Sequence, residues 1–183
     1  MPNDNDPIII DSENKELENE TLEMVDIATG TVQDIPVKYL SATDAEPTLV
    51  RDRPTAYLIK PGHEEIAEKL MDQGLKGFRL PKNVSLPAEA FTVTSKEPAG
   101  NYEQRELVEV ETEVTKKDIT FPKGTYVFLT AQPQTNLLSL SLEPESVDSY
   151  TTFGYVLSEV GQELPIYRFT IDPKKSNMKP FMK

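Results

Sequence analysis

Residues 56–74 read Ala-Tyr-Leu-Ile-Lys-Pro-Gly-His-Glu-Glu-Ile-Ala-Glu-Lys-Leu-Met-Asp-Gln-Gly, a strand and a helix in direct succession. Ala56-Tyr57-Leu58-Ile59 is apolar without alternation, as a short strand buried on both faces would be. Pro61-Gly62 ends it, and His63 to Gln73 then changes to helical spacing. Ile66 and Leu70 lie four apart, Ala67 and Met71 widen the same stripe, and Glu64 and Glu65 occupy the first turn, where the macrodipole favours acids. Glu65 can pair with Lys69, and Gly74 is placed to stop the helix.

On either side the chain reads as strands. Thr21 to Ile27 and Asp34 to Leu40 are β-prone runs joined by Ala28-Thr29-Gly30-Thr31, a connection suited to a hairpin. Residues 41–54, with Pro47, Arg51, Arg53 and Pro54, read as a connector. Phe78 to Leu80 and Ala90 to Thr94 are short extended runs. From Leu107 to Val114 the pattern alternates, with Val108, Val110 and Val114 on one face and Glu109, Glu111 and Glu113 on the other, predicting a half-exposed strand whose acidic row resists edge pairing. Ile119-Thr120-Phe121 extends it, Pro122-Lys123-Gly124 turns, and Tyr126-Val127-Phe128-Leu129 is apolar on both faces. Between Pro133 and Pro144 a second helix, at about 133–143, is favoured, although Leu138, Leu140 and Leu142 also suit a strand. Leu164 to Ile171 reads as the last ordered piece. The fold class expected is α+β, mostly antiparallel β-sheet and sandwich-like, with one clear helix at about 63–73. A single β-rich domain over 20–171 would follow a polar acidic linker at 1–19 holding one short extended segment, Ile8-Ile9-Ile10, and precede a flexible tail at 172–183.

Composition narrows the chemistry. The chain has 183 residues, no Cys and a single His, His63. A thiolate nucleophile, a disulfide framework and a cysteine-rich zinc site are therefore excluded, and a catalytic zinc usually takes two or three histidines. No GxGxxG or GxxxxGK[ST] occurs, and eight glycines leave little material for a phosphate loop. A net charge of −12 opposes binding to phosphate backbones and anionic lipid, so neither nucleic acid nor membrane is an expected partner. No apolar run approaches the roughly 20 residues that span a bilayer, and residues 1–6 have neither the basic patch nor the apolar core of a signal peptide.

The candidate sites each have an ordinary reading. His63, beside Glu64 and Glu65, could act as a base, but a helix cap or surface residue fits its position better. Asn3-Asp4-Asn5-Asp6 with Asp11 and Glu13 offers calcium-type ligands but lacks the Gly and distal Glu of a calcium loop. Asn19-Glu20-Thr21 and Asn83-Val84-Ser85 match the N-glycosylation pattern. Tyr150, Phe153, Tyr155, Tyr167 and Phe169 could form a sugar-stacking platform or simply core. No catalytic, cofactor-binding or metal-binding residue is assigned in this chain.

Several blocks in order carry a resemblance. They are Arg53-Pro54-Thr55-Ala56-Tyr57-Leu58-Ile59 with Pro61-Gly62 and the helix Glu65 to Leu70, then Phe121-Pro122-Lys123-Gly124-Thr125-Tyr126, then Gln132-Pro133 with Asn136-Leu137, then Leu142-Glu143-Pro144-Glu145-Ser146-Val147-Asp148-Ser149-Tyr150, and last Leu164-Pro165-Ile166-Tyr167-Arg168. Over about residues 20–170 the chain resembles the C-terminal accessory region of bacterial secreted zinc carboxypeptidases of the carboxypeptidase A superfamily, without the catalytic domain. The resemblance implies an upstream or separate catalytic domain as partner, which holds zinc through His-x-x-Glu and a later His, and a secreted or cell-surface bacterial location. Three residues after His63 stands Ile66, so the His-x-x-Glu spacing is absent there and no catalytic residue carries over. The function implied is a non-catalytic accessory or docking domain of a metallocarboxypeptidase that removes C-terminal residues from peptides. The alternatives are an extracellular glycan or cell-wall binding module and a hydrolase built on His63 and a serine.

Overall fold

The computed structural model describes residues 6–170, which form ten strands and two helices in a mostly antiparallel α+β fold. Strand β1 (Ile8–Leu17) pairs antiparallel with β4 (Tyr39–Arg51), and β2 (Thr21–Val25) with β3 (Val32–Pro36) forms a separate hairpin. The remaining strands are β5 (Ala56–Ile59), β6 (Gly77–Arg79), β7 (Val84–Tyr102), β8 (Arg105–Phe121), β9 (Tyr126–Leu129) and β10 (Glu163–Phe169). They make one six-stranded sheet in the order β6-β9-β5-β10-β7-β8, with every pairing antiparallel.

Both faces of this sheet are covered. On one, Tyr57, Ile59, Phe128 and Ile166 pack with Ile66 and Leu70 of α1 (Glu64–Asp72) and Leu138 and Leu142 of α2 (Thr135–Leu142). On the other, Leu58, Val127 and Phe169 join Leu80, Ile119 and Phe121. This is why β5 and β9 carry no polar alternation: their side chains meet apolar partners in both directions. α1 ends where Gly74 takes a φ of 89°, and the N–H of Leu75 then reaches back to the carbonyl of Leu70 at 3.1 Å. In α2, Leu138 and Leu142 point inward one turn apart, so helix rather than strand describes the leucine run.

Three segments differ from the expectation. Residues 41–54, read as a connector, lie largely in β4; Pro47 sits opposite Ser12 in a two-stranded ribbon, where a missing N–H interrupts no central ladder. The extended segment in 1–19 is the ten-residue β1, anchored by buried Ile8 and Ile10. Ala90–Thr94, Leu107–Val114 and Ile119–Phe121 belong to one long hairpin, β7–β8, turning at Glu103 (φ 47°) and Gln104 (φ 69°). Two consecutive positive φ angles fit a type I′-like turn, normally signalled by Asn-Gly, and Glu-Gln gives no such signal. The expected tail at 172–183 lies outside the described residues.

Candidate functional site

The densest polar arrangement among the described residues lies between the sheet and the end of α2. Pro144 denies the helix a further turn, and Glu143 leaves it with extended backbone (φ −78°, ψ 117°) while its N–H still bonds Ser139 O at 2.8 Å. That exit aims two carboxylates, Glu143 and Glu145, at Arg51, the last residue of β4. Arg51 Nη1 donates to Glu143 Oε2 at 2.9 Å and to Glu145 Oε2 at 2.8 Å, and its Nη2 donates to Glu145 Oε1 at 2.7 Å. The guanidinium carbon stands 5.5 Å from the centre of the Phe91 ring.

The other oxygen of Glu143 faces the sheet. Tyr57 in β5 donates its hydroxyl to Glu143 Oε1 at 2.6 Å, and Arg168 Nε in β10 lies 3.0 Å from the same atom as an ion pair, without the alignment of a hydrogen bond. Arg168 Nη1 donates to Glu89 Oε2 of β7 at 2.9 Å, and Nη2 donates to the carbonyl of Asp52. Thr112 in β8 donates its hydroxyl to Glu145 Oε1 at 2.5 Å and its N–H at 3.2 Å. Downstream, Ser149 Oγ accepts from the N–H of Thr152 and shares its one proton between Pro144 O and Thr152 Oγ1, which itself donates to Ser146 O. The loop after α2 is thereby pinned to three strands of the sheet, β5, β8 and β10, and to β4.

The electrostatics follow from burial set against pairing. The side chain of Glu143 is fully buried, and burial pushes its carboxyl above the ordinary glutamate value even with Arg168, Tyr57 and Arg51 favouring the charge. Burial acts on Glu145 too, but the hydrogen bonds and charge of Arg51, with Thr112, outweigh it and hold that carboxyl below the ordinary value. For Arg51, burial opposes the charge, and the adjoining Glu145 and Glu143 more than restore it. The Tyr57 phenol is pushed well above its usual range, first by burial and then by the Glu143 charge. Three carboxylates thus face two guanidiniums in a closed space, with each carboxylate already engaged. Such an arrangement fixes chain segments in place; it presents no free base to a substrate.

The residues singled out in the sequence lie elsewhere. His63 takes the cap position of α1, half-buried, with no side-chain capping bond and no hydrogen bond to a serine or carboxylate among the described residues. Residues 3–5 of the acidic tract are outside the described part, while Asp11 accepts a hydrogen bond from Thr48 at 2.9 Å. Among the described residues no three His, Asp or Glu side chains are grouped to hold a metal. Glu109, Glu111 and Glu113 are exposed on β8, an edge strand, with Val110 turned inward. Asn19 and Asn83 are both exposed, and Asn83 Oδ1 accepts the N–H of Lys123 at 2.8 Å. The aromatics form no platform: Tyr150 and Tyr155 pack edge to face in the helix-side core, and Tyr167 and Phe169 belong to the opposite face of the sheet. Tyr155 is moreover flanked by the cations of Lys69 and Arg105, 4.6 and 4.2 Å from its ring centre.

The network residues Arg51, Glu89, Thr112 and Arg168 carried no chemical motif. A signal was nonetheless present: Glu89 stands between Ala88 and Ala90, and Arg168 between Tyr167 and Phe169, and a charge inside an apolar strand requires a partner.

Comparison with known proteins gives relatives of one name. Carboxypeptidase 2 of Trichophyton rubrum and of Trichophyton tonsurans are each 36% identical over 152 residues, covering 81% of this chain and 28% of the relative. A probable carboxypeptidase 2 of Arthroderma benhamiae is 34% identical over 132 residues, 70% of this chain and 24% of the relative. The chain therefore spans about a quarter of the length of the curated relatives it matches, and these are fungal, whereas the resemblance pointed to bacterial proteins. No protein-family model matches the chain, and no solved structure matches it significantly.

Proposed function

We propose that this chain is a non-catalytic accessory domain of a larger, secreted zinc carboxypeptidase that trims C-terminal residues from peptides. The observation that carries the reading is the partial-length match: 81% of this chain aligns with 28% of a carboxypeptidase 2, leaving most of the relative for other work. The chain's own chemistry supports it. With one histidine in 183 residues, the multi-histidine site of a typical catalytic zinc would have to lie in the remaining part of such a protein. The buried carboxylates Glu143 and Glu145 are bound to arginines inside the fold. In this reading the catalytic portion is the partner, and the six-stranded sheet with its helices is the folded body of the accessory domain.

The test is direct. The purified chain is incubated with peptides of mixed C-termini, with and without added zinc, and metal content is measured in parallel. No release of C-terminal residues and no stoichiometric zinc are expected. Stoichiometric zinc together with release would overturn the proposal.

A further inference from the structure

The β2–β3 hairpin stands apart from the rest of the fold. The residues of both strands are exposed, and among the described residues the two strands make no substantial contact with any other helix or strand beyond their mutual pairing. Its shape is nevertheless set locally. Asp26 N–H bonds Thr31 O at 2.9 Å, Gly30 N–H bonds Asp26 O at 2.8 Å, and Asp26 Oδ1 accepts the N–H of Ala28 at 2.8 Å. A two-stranded hairpin open to water on both faces is marginal by itself.

Its side chains are those of a covered surface. Leu22, Met24, Val25, Ile27, Val32 and Ile35 are between 39% and 100% exposed. Leu22 lies opposite Ile35 on one face, with Met24 two residues along; Val25 lies opposite Val32 on the other. Acidic residues accompany these side chains, with Glu23 opposite Asp34 on the face of Val25 and Val32, Glu20 and Asp26 at the ends of the first strand, and no Lys or Arg between Lys15 and Lys38. Both faces of the main sheet are already covered, and among the described residues the hairpin gathers six of the sixteen exposed large apolar side chains in one sixteen-residue element.

We infer that residues 21–36 are the docking element of this domain, inserting into an apolar groove edged by Lys and Arg on the catalytic portion of a carboxypeptidase. The inference rests on the accessory-domain reading and names the surface that reading requires. Two facts select this occupant over a second copy of the chain. An acidic hairpin on a chain of net charge −12 repels its own image, and relatives of this chain carry about three-quarters of their length outside the matched part.

The experiment compares amide hydrogen exchange in the isolated chain with that in a chimaera, in which the chain replaces the matching part of the Trichophyton rubrum carboxypeptidase 2. Residues 21–36 should exchange rapidly in the isolated chain and gain about tenfold protection or more in the chimaera. Leu22→Asp with Ile35→Asp should abolish that gain while leaving β5 and β9 protected as before, which shows the domain still folded. Protection confined to other surfaces of the chain would overturn the hairpin's role and leave the accessory reading standing. No new protection anywhere in an active chimaera would overturn both. The isolated chain gives an independent check through Met24→Cys, a lone thiol in a chain without cysteine. A maleimide dye there should report water and the chain should run as a monomer; a dimer that shields the dye would make a second copy the occupant and refute the inference.

Discussion

Glu143→Ala is the perturbation that most directly tests how the fold is held. The substitution removes the acceptor of Arg51 Nη1 at 2.9 Å and of Tyr57 at 2.6 Å, and the anion 3.0 Å from Arg168 Nε. Breaking a buried ion pair by deleting one partner typically costs about 3–5 kcal/mol. Here the lower end applies, because Arg51 keeps two bonds to Glu145 and Arg168 keeps Glu89, so about 3 kcal/mol is expected. Glu143→Gln keeps the volume and one acceptor oxygen and should cost about 1.5 kcal/mol, the worth of a weakened charged hydrogen bond. In urea, with a slope of about 2 kcal/mol/M, the alanine variant should unfold about 1.5 M earlier than the parent. Tyr57→Phe should cost less in the Glu143→Ala background than in the parent, because its hydroxyl has then already lost its acceptor, with a coupling of about 1 kcal/mol. A midpoint shift below about 0.3 M for Glu143→Ala, or fully additive effects, would refute the reasoning.

Stability should fall as pH drops below the ordinary glutamate value of 4.5. Glu145 is held below that value in the folded state, so the stability it supplies is complete above 4.5 and is lost as pH falls through its folded pKa; Glu145→Gln should flatten this limb in thermal melts, and an unchanged profile would count against it. Glu143 carries the opposite sign: its folded pKa is raised, so its own contribution grows as pH falls toward 4.5, and Glu143→Gln should remove that rise. Gly77→Ala would place a methyl 2.5 Å from Cε1 of the fully buried Phe128 ring, costing about 1–3 kcal/mol in urea unfolding, whereas a neutral result would mean that the edge strand β6 shifts freely. His63→Ala should change stability by no more than about 0.5 kcal/mol, since the imidazole caps nothing; a larger loss in thermal unfolding would reveal a partner for it.

The parts of the fold visible in the sequence are those whose stability is local or whose burial is uniform. The α1 segment declared itself through Ile66 and Leu70, its acidic first turn and Gly74, and β5 and β9 through unbroken apolar runs. β8 was legible where its valines alternate with Glu109, Glu111 and Glu113 and again at Ile119-Thr120-Phe121, but not as one continuous strand. The β7–β8 turn was not, because Glu103 and Gln104 adopt positive φ without the residues that usually permit it. β4 was hidden for a related reason: a two-stranded ribbon exposes most of its side chains, so no hydrophobic period marks it.

The candidate site was visible in its parts and invisible as a whole. Three of the separate blocks that carry the resemblance supply Tyr57, Glu143 with Glu145, and Arg168, and the fold brings these together around one carboxylate. These three blocks therefore have a physical role that needs no catalysis: each contributes at least one member of a buried network, and losing one member strands the charge of another. Arg51, from a segment outside those blocks, completes the network through a distance of 92 residues in sequence, a link no local pattern encodes. The same logic explains why the hairpin differs from the core. Its apolar residues satisfy a pairing pattern but find no packing partner among the described residues, which is what the proposed docking surface would supply.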